Sequence, residues 1–98
     1  MAAHPIFLSL QVLMPAILAH LETIYPEEFS EANYSLHDHG SKGLVGLNLH
    51  SDKYPSTLFW IDERLTVQPA FHTVQSEKQY NLNSQVKRKI SDLLKRAS

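Results

Sequence analysis

From Ile6 to Tyr25 the apolar residues recur at steps of three and four: Ile6, Leu10, Leu13, Met14, Ile17, Leu18, Leu21, Ile24 and Tyr25. That is one stripe of a helical period, and it predicts a helix over residues 6–24. A striped helix must bury its stripe on another element, so the rest of the chain has to supply an apolar surface. Pro5 suits a first helical position, and Pro26 ends the run by pushing Tyr25 out of helical geometry. Pro15 removes one backbone hydrogen bond and predicts a kink near Gln11–Val12. Phe7, Leu8 and Val12 stand off the stripe. The first half of the helix is therefore apolar on more than one face, which implies burial on two sides or contact with a partner.

A second stripe closes the chain. Val86, Ile90, Leu93, Leu94 and Ala97 predict a helix over 84–96, with Asn83 or Ser84 as its cap. Between the helices the period falls to two. Tyr34-Ser35-Leu36-His37 alternates, Val45, Leu47 and Leu49 share one face, and Thr57–Ile61 is rich in β-branched and aromatic residues. These segments predict strands over 33–38, 44–50 and 57–61. A fourth, over 64–68, follows a turn at Asp62-Glu63, and His39–Gly43 carries the turn chemistry of a hairpin. The fold class that results is α+β in a single domain over 1–98: helix, antiparallel sheet of three or four strands, helix. Both helices are expected on one sheet face.

A chain of 98 residues buries only about 60–65% of the surface exposed by its unfolded state. The core is thin and leaves little room for a deep pocket, which argues against an enzyme. The chemistry agrees. Ser35, Ser41, Asp38 and the histidines supply the residue types of a hydrolytic triad, but no Gly-x-Ser-x-Gly elbow occurs. The acid pairs Glu27-Glu28 and Asp62-Glu63 sit in turns, where water solvates them. Gly40-Ser41-Lys42-Gly43 lies between two strands rather than between strand and helix, so it reads as a turn and not a phosphate cradle.

With no cysteine, neither a disulfide framework nor a thiolate metal site can form, and a reducing, cytoplasmic setting is expected. Ile6–Leu18 has no basic residue before it and is interrupted by Gln11 and Pro15. It reads as mature structure too short to span a bilayer, so no membrane association is expected.

Six histidines raise the question of a metal. His37 and His39 share a strand face and His50 is the third candidate. A hairpin turning near Ser41 pairs His37 with about Val45 and leaves His50 about 15 Å away, so the set does not close. No metal or cofactor is expected, and a His-dependent metal or hydrolytic site stays the third reading of function.

Net charge is −1, divided unevenly. Residues 1–63 carry eight acids and two bases, whereas residues 64–98 carry seven bases and two acids. Lys87, Arg88 and Lys89 give the last helix a basic face able to meet phosphates or an acidic protein. The overall charge does not favour nucleic acid, which stays the second reading. Tyr34, Tyr54, Phe59, Trp60, Phe71 and Tyr80 are expected to form an exposed aromatic set. Phe59 faces away from Leu58 and Trp60, so the third strand is apolar on both sides, and helices cover only one face of a small sheet. Either residues 69–73 cover Phe59 or a partner does. The functional expectation is a non-enzymatic protein-interaction module of adaptor, chaperone or inhibitor type. It would contact a protein partner or a second copy through Phe7, Leu8, Val12, Phe59, Trp60, Lys87, Arg88 and Lys89.

Overall fold

The computed structural model describes residues 5–70 and 76–97. Helix α1 spans Pro5–Ile24, and strands β1 to β4 span Asn33–His39, Leu44–His50, Thr57–Asp62 and Val67–Pro69. Helix α2 spans Glu77–Ala97. The strands form one antiparallel sheet in the order β1-β2-β3-β4. The register is unbroken throughout: Leu36 opposes Leu47, Leu47 opposes Phe59, and Phe59 opposes Pro69.

Because side chains alternate along a strand, that register decides the two faces. Val45, Leu47, Leu49, Phe59, Ile61 and Val67 all point inward and are buried. They meet Leu10, Met14, Ile17 and Leu21 of α1 and Val86, Ile90 and Leu94 of α2 in one core. Both helices therefore cover the same sheet face, α1 over the β1 side and α2 over the β4 side. The domain is two layers thick, with a shortest dimension of 20 Å. The other face carries Ser35, His37, Gly46, Asn48, Leu58 and Trp60, and no helix among the described residues covers it.

Several local features differ from the sequence reading, each for a physical reason. Helix α2 begins at Glu77, not near residue 84. Its cap is Ser76, whose hydroxyl accepts the Gln79 N–H at 3.1 Å. Asn83, expected as a cap, is a fully buried helix residue. Its Oδ1 accepts from the Tyr54 hydroxyl at 2.6 Å and from Gln79 Nε2 at 3.0 Å, so its polarity is matched inside the core. Tyr54 belongs to the core rather than to an exposed aromatic set. Its ring lies 4.7 Å from that of Phe29, and burial pushes its hydroxyl up to about 12.

Strand β4 starts at Val67 rather than at residue 64. The Asp62 carboxylate accepts the N–H groups of Arg64 and Thr66 at 2.9 and 3.0 Å, and Leu65 takes a left-handed φ of 63°. Those bonds close a longer loop than the two-residue turn expected from the sequence. The β1–β2 connection is one 3-10 turn, Gly40–Lys42, closed by Gly43 at a φ of 67°. A side chain there would be strained, which accounts for that glycine. Helix α1 continues through Pro15, which is exposed.

Candidate interaction surfaces

The 3.6-residue period of α1 directs Leu10, Met14, Ile17 and Leu21 inward. At about 100° per residue the opposite pole is Leu8, Val12, Pro15 and Ala19, all exposed. Val12 keeps 79% of its surface and Leu8 keeps 52%. No Asp, Glu, Lys or Arg occurs between Pro5 and Leu21, so the exposed pole is also uncharged. Phe7 is half-buried against the edge of the core.

The same composition revises the length argument made from the sequence. Ile6–Ile24 is 19 residues with a mean hydropathy of 1.5, long and apolar enough to cross a membrane. In this fold its inward stripe is committed to the sheet. An amphipathic core helix needs only one apolar side, so it is the outer pole of α1 that remains to be explained.

Next to α1 runs α2, antiparallel to it: Leu93 and Ala97 face Leu13 and Ala16, while Gln85 meets Tyr25. The two helices leave an apolar groove between them, including a cavity of about 160 Å³ lined by Ile6, Leu10, Leu13, Leu65, Leu94 and Ala97. That volume is below the range of about 300–1,000 Å³ usual for small-molecule sites. From Val86 to Ala97, α2 carries five bases and one acid.

Lys87, Arg88 and Lys89 do not act as one patch. Lys87 and Arg88 line an open cleft with Lys95, Thr66 and Gln68, and Asp92 also faces it. Lys89 is exposed and lies a further 100° around the helix, toward α1. Arg88 sits close enough to Tyr25 to favour its ionised form. Burial and the nearby Glu28 oppose that effect more strongly, so the Tyr25 hydroxyl is raised above its ordinary value.

The third-strand expectation divides in two. Phe59 is fully buried beneath the helices and is not a partner contact. Trp60 points to the uncovered sheet face and is half-buried there. Its indole lies over Gly46, where an added Cβ would meet Trp60 Cζ3 at 3.3 Å and Leu58 Cδ1 at 3.4 Å. The His39 ring stands edge-on to the indole at 5.2 Å. Phe71 and residues 71–73, expected as a possible cover for Phe59, lie outside the described residues.

His37, His39 and His50 all fall on the uncovered face, but they are spread along it. His37 opposes Gly46, not Val45, because the 3-10 turn shifts the register by one residue. His50 is then four residues along β2, about 13 Å away. His37 makes a 3.4 Å contact with the Ser35 hydroxyl instead. Among the described residues no three His, Asp or Glu side chains converge on a common point.

Compared with known protein families, curated proteins and solved structures, the chain gives no significant match.

Proposed function

We propose that this protein is a non-enzymatic interaction module that binds a protein partner through the outer pole of α1. The observation that supports it is the exposure of Leu8 and Val12 on a helix whose opposite side already fills the core. Leaving several apolar side chains aligned in water brings the isolated domain no stability, whereas covering them contributes about 25 cal/mol per Å². Of the bases of α2, Arg96 and Lys89 lie on the side toward α1, so the complementary surface is apolar at its centre and acidic at one edge. A cytoplasmic setting is part of the same reading, resting on the absence of cysteine.

The test is affinity capture from native extract with the wild-type domain and a Val12→Asp variant in parallel. One stoichiometric protein retained by the wild type and lost by the variant supports the reading. Equal capture by both proteins, or none by either, defeats it.

A second reading rests on the cleft where Lys87, Arg88 and Lys95 meet Gln68 and Thr66. Three cations beside two polar side chains suit a phosphate backbone, and such binding would weaken steeply with salt. Asp92 in the same cleft and the overall charge of −1 work against it.

A further inference from the structure

The sheet ends on two unequal edges. On one side, β4 is three residues long and finishes in Pro69, which has no N–H to offer a neighbouring strand. On the other, β1 runs seven residues in an unbroken register with β2. It contains no Pro, Lys or Arg, and its one charged residue that could protect the edge, Asp38, stands next to the last position of the strand. Five of its seven residues are exposed. A strand at the edge of a sheet leaves every second set of backbone N–H and C=O groups without a strand partner.

We propose that β1 is a homodimerisation edge: a second copy of this chain pairs its own β1 antiparallel to the first, making one continuous eight-stranded sheet. Three features select a second copy as the occupant. The first is the sequence of the strand. With Leu36 at the two-fold axis, Leu36 opposes itself on the inner face and Tyr34 opposes Asp38. On the outer face Ser35 opposes His37 and Asn33 opposes His39. No pair opposes like charges, the Leu36 pair is apolar and the outer-face pairs are polar, and Ser35 and His37 already meet within one strand.

The second feature is the symmetry. Antiparallel pairing of identical strands gives a two-fold axis perpendicular to the sheet, which is the closed arrangement most homo-oligomers adopt. It places the helices of both copies on the same side.

The third is the spacing of the helix layer. Strands lie about 4.8 Å apart and packed helices about 8–10 Å apart, so one helix spans two strands. Helix α1 sits on the β1 side and α2 on the β4 side, which is that arrangement. Continuing the sheet by one strand spacing beyond β1 brings the second α1 alongside the first at the same helix–helix distance. The flank of α1 turned away from α2 would face it. By helical phase that flank is Phe7, Leu8, Gln11, Pro15 and Leu18, uncharged over that length, with Glu22 following near the end of the helix. Pairing at β1 thus accounts for the apolar residues that stand off the core stripe at Phe7 and Leu8. It takes up Leu8 and Pro15 from one side of the outer pole and leaves Val12 and Ala19 for another partner. The inference goes beyond the interaction reading and does not depend on it.

The test is sedimentation velocity on the full chain over about 1 µM to about 500 µM, a range that brackets ordinary dimer affinities. A Ser35→Lys/His37→Lys variant is run in parallel. Both positions are exposed, so the substitutions leave the core untouched, which far-UV circular dichroism checks. In the proposed register they set lysines opposite one another on both sides of the axis. The wild type is expected as a dimer, with the dissociation constant raised at least about tenfold in the variant. Hydrogen exchange is expected to slow at β1 amides as wild-type concentration rises. A wild type that stays monomeric over the whole range overturns the proposal, as does a dimer that the variant leaves intact. Val12→Asp is expected to dimerise normally while losing its captured partner, so failure of either idea is visible separately.

Discussion

Replacing Tyr54 with Phe isolates the bond that ties the β2–β3 loop to α2. The Tyr54 hydroxyl donates to Asn83 Oδ1 at 2.6 Å, and both residues are fully buried. Losing the hydroxyl leaves Asn83 with its Gln79 donor at 3.0 Å, so no buried acceptor is orphaned. The expected cost at neutral pH is therefore near that of one buried hydrogen bond, about 1–1.5 kcal/mol. For a domain of this size that lowers Tm by about 4–10 °C. The pH dependence makes the prediction sharper. Burial raises the hydroxyl from 10.0 to about 12. A raised pKa in the folded state means the folded protein holds its proton longer than the unfolded chain does. The resulting stability is complete below pH 10 and is lost as pH rises from about 10 to about 12. Each unit corresponds to about 1.4 kcal/mol, so about 1.4 kcal/mol has gone by pH 11 in the wild type and none of it in Tyr54→Phe. The assay is denaturant unfolding of both proteins at pH 7, 9, 10 and 11. Their stability difference should shrink above pH 10 and reach about zero near pH 11. A difference that stays constant to pH 11, or a variant as stable as the wild type at pH 7, refutes the reasoning.

Other outcomes follow from the same geometry. Asp62→Ala removes the acceptor of two loop N–H groups and should cost about 1–2 kcal/mol in denaturant unfolding. Gly46→Ala drives a methyl toward the indole of Trp60, the protein's single tryptophan, and should shift its fluorescence to longer wavelength while costing about 1 kcal/mol. Leu10→Ala, in the core, should cost about 2–5 kcal/mol, whereas Val12→Ser at the exposed pole should change stability by about 0.5 kcal/mol or less. Labelled duplex titrated at low and moderate salt should show no saturable binding; a steep salt slope abolished by neutralising Lys87, Arg88 and Lys95 would favour the phosphate-binding reading instead.

The frame of the fold was legible because its signals are periodic. The stripe of α1 and the alternation of Val45, Leu47 and Leu49 each name an inward face without help from distant residues. The third strand did not, because Leu58, Phe59, Trp60 and Ile61 are apolar at consecutive positions. Its inward face is set by the parity of the β2–β3 pairing, where Leu47 opposes Phe59. One local signal points the same way: Gly46, on the outer side of β2, leaves the space that the Trp60 indole occupies. The start of α2 was hidden for a different reason. Gln79 and Asn83 break the apolar stripe, yet the core accepts Asn83 through the Tyr54 hydroxyl, and the half-buried Gln79 donates to the same Asn83 oxygen. Only tertiary contact supplies that partner, so a pattern of apolar spacing ends the helix too early. Of the candidate contacts, Leu8 and Val12 were legible as residues off the stripe. Phe59 was misassigned with the sheet face, and the division of Lys87, Arg88 and Lys89 among different sides of α2 follows from helical phase alone.

The most direct test of the interaction surface is site-specific photo-crosslinking in native extract. A photoreactive phenylalanine analogue replaces Val12, and control positions are Gln68 on the far sheet edge and Asn48 on the uncovered face. The account predicts one discrete crosslinked protein from position 12 and none of comparable yield from positions 48 and 68. No crosslink from position 12, or the same product from all three positions, would contradict it.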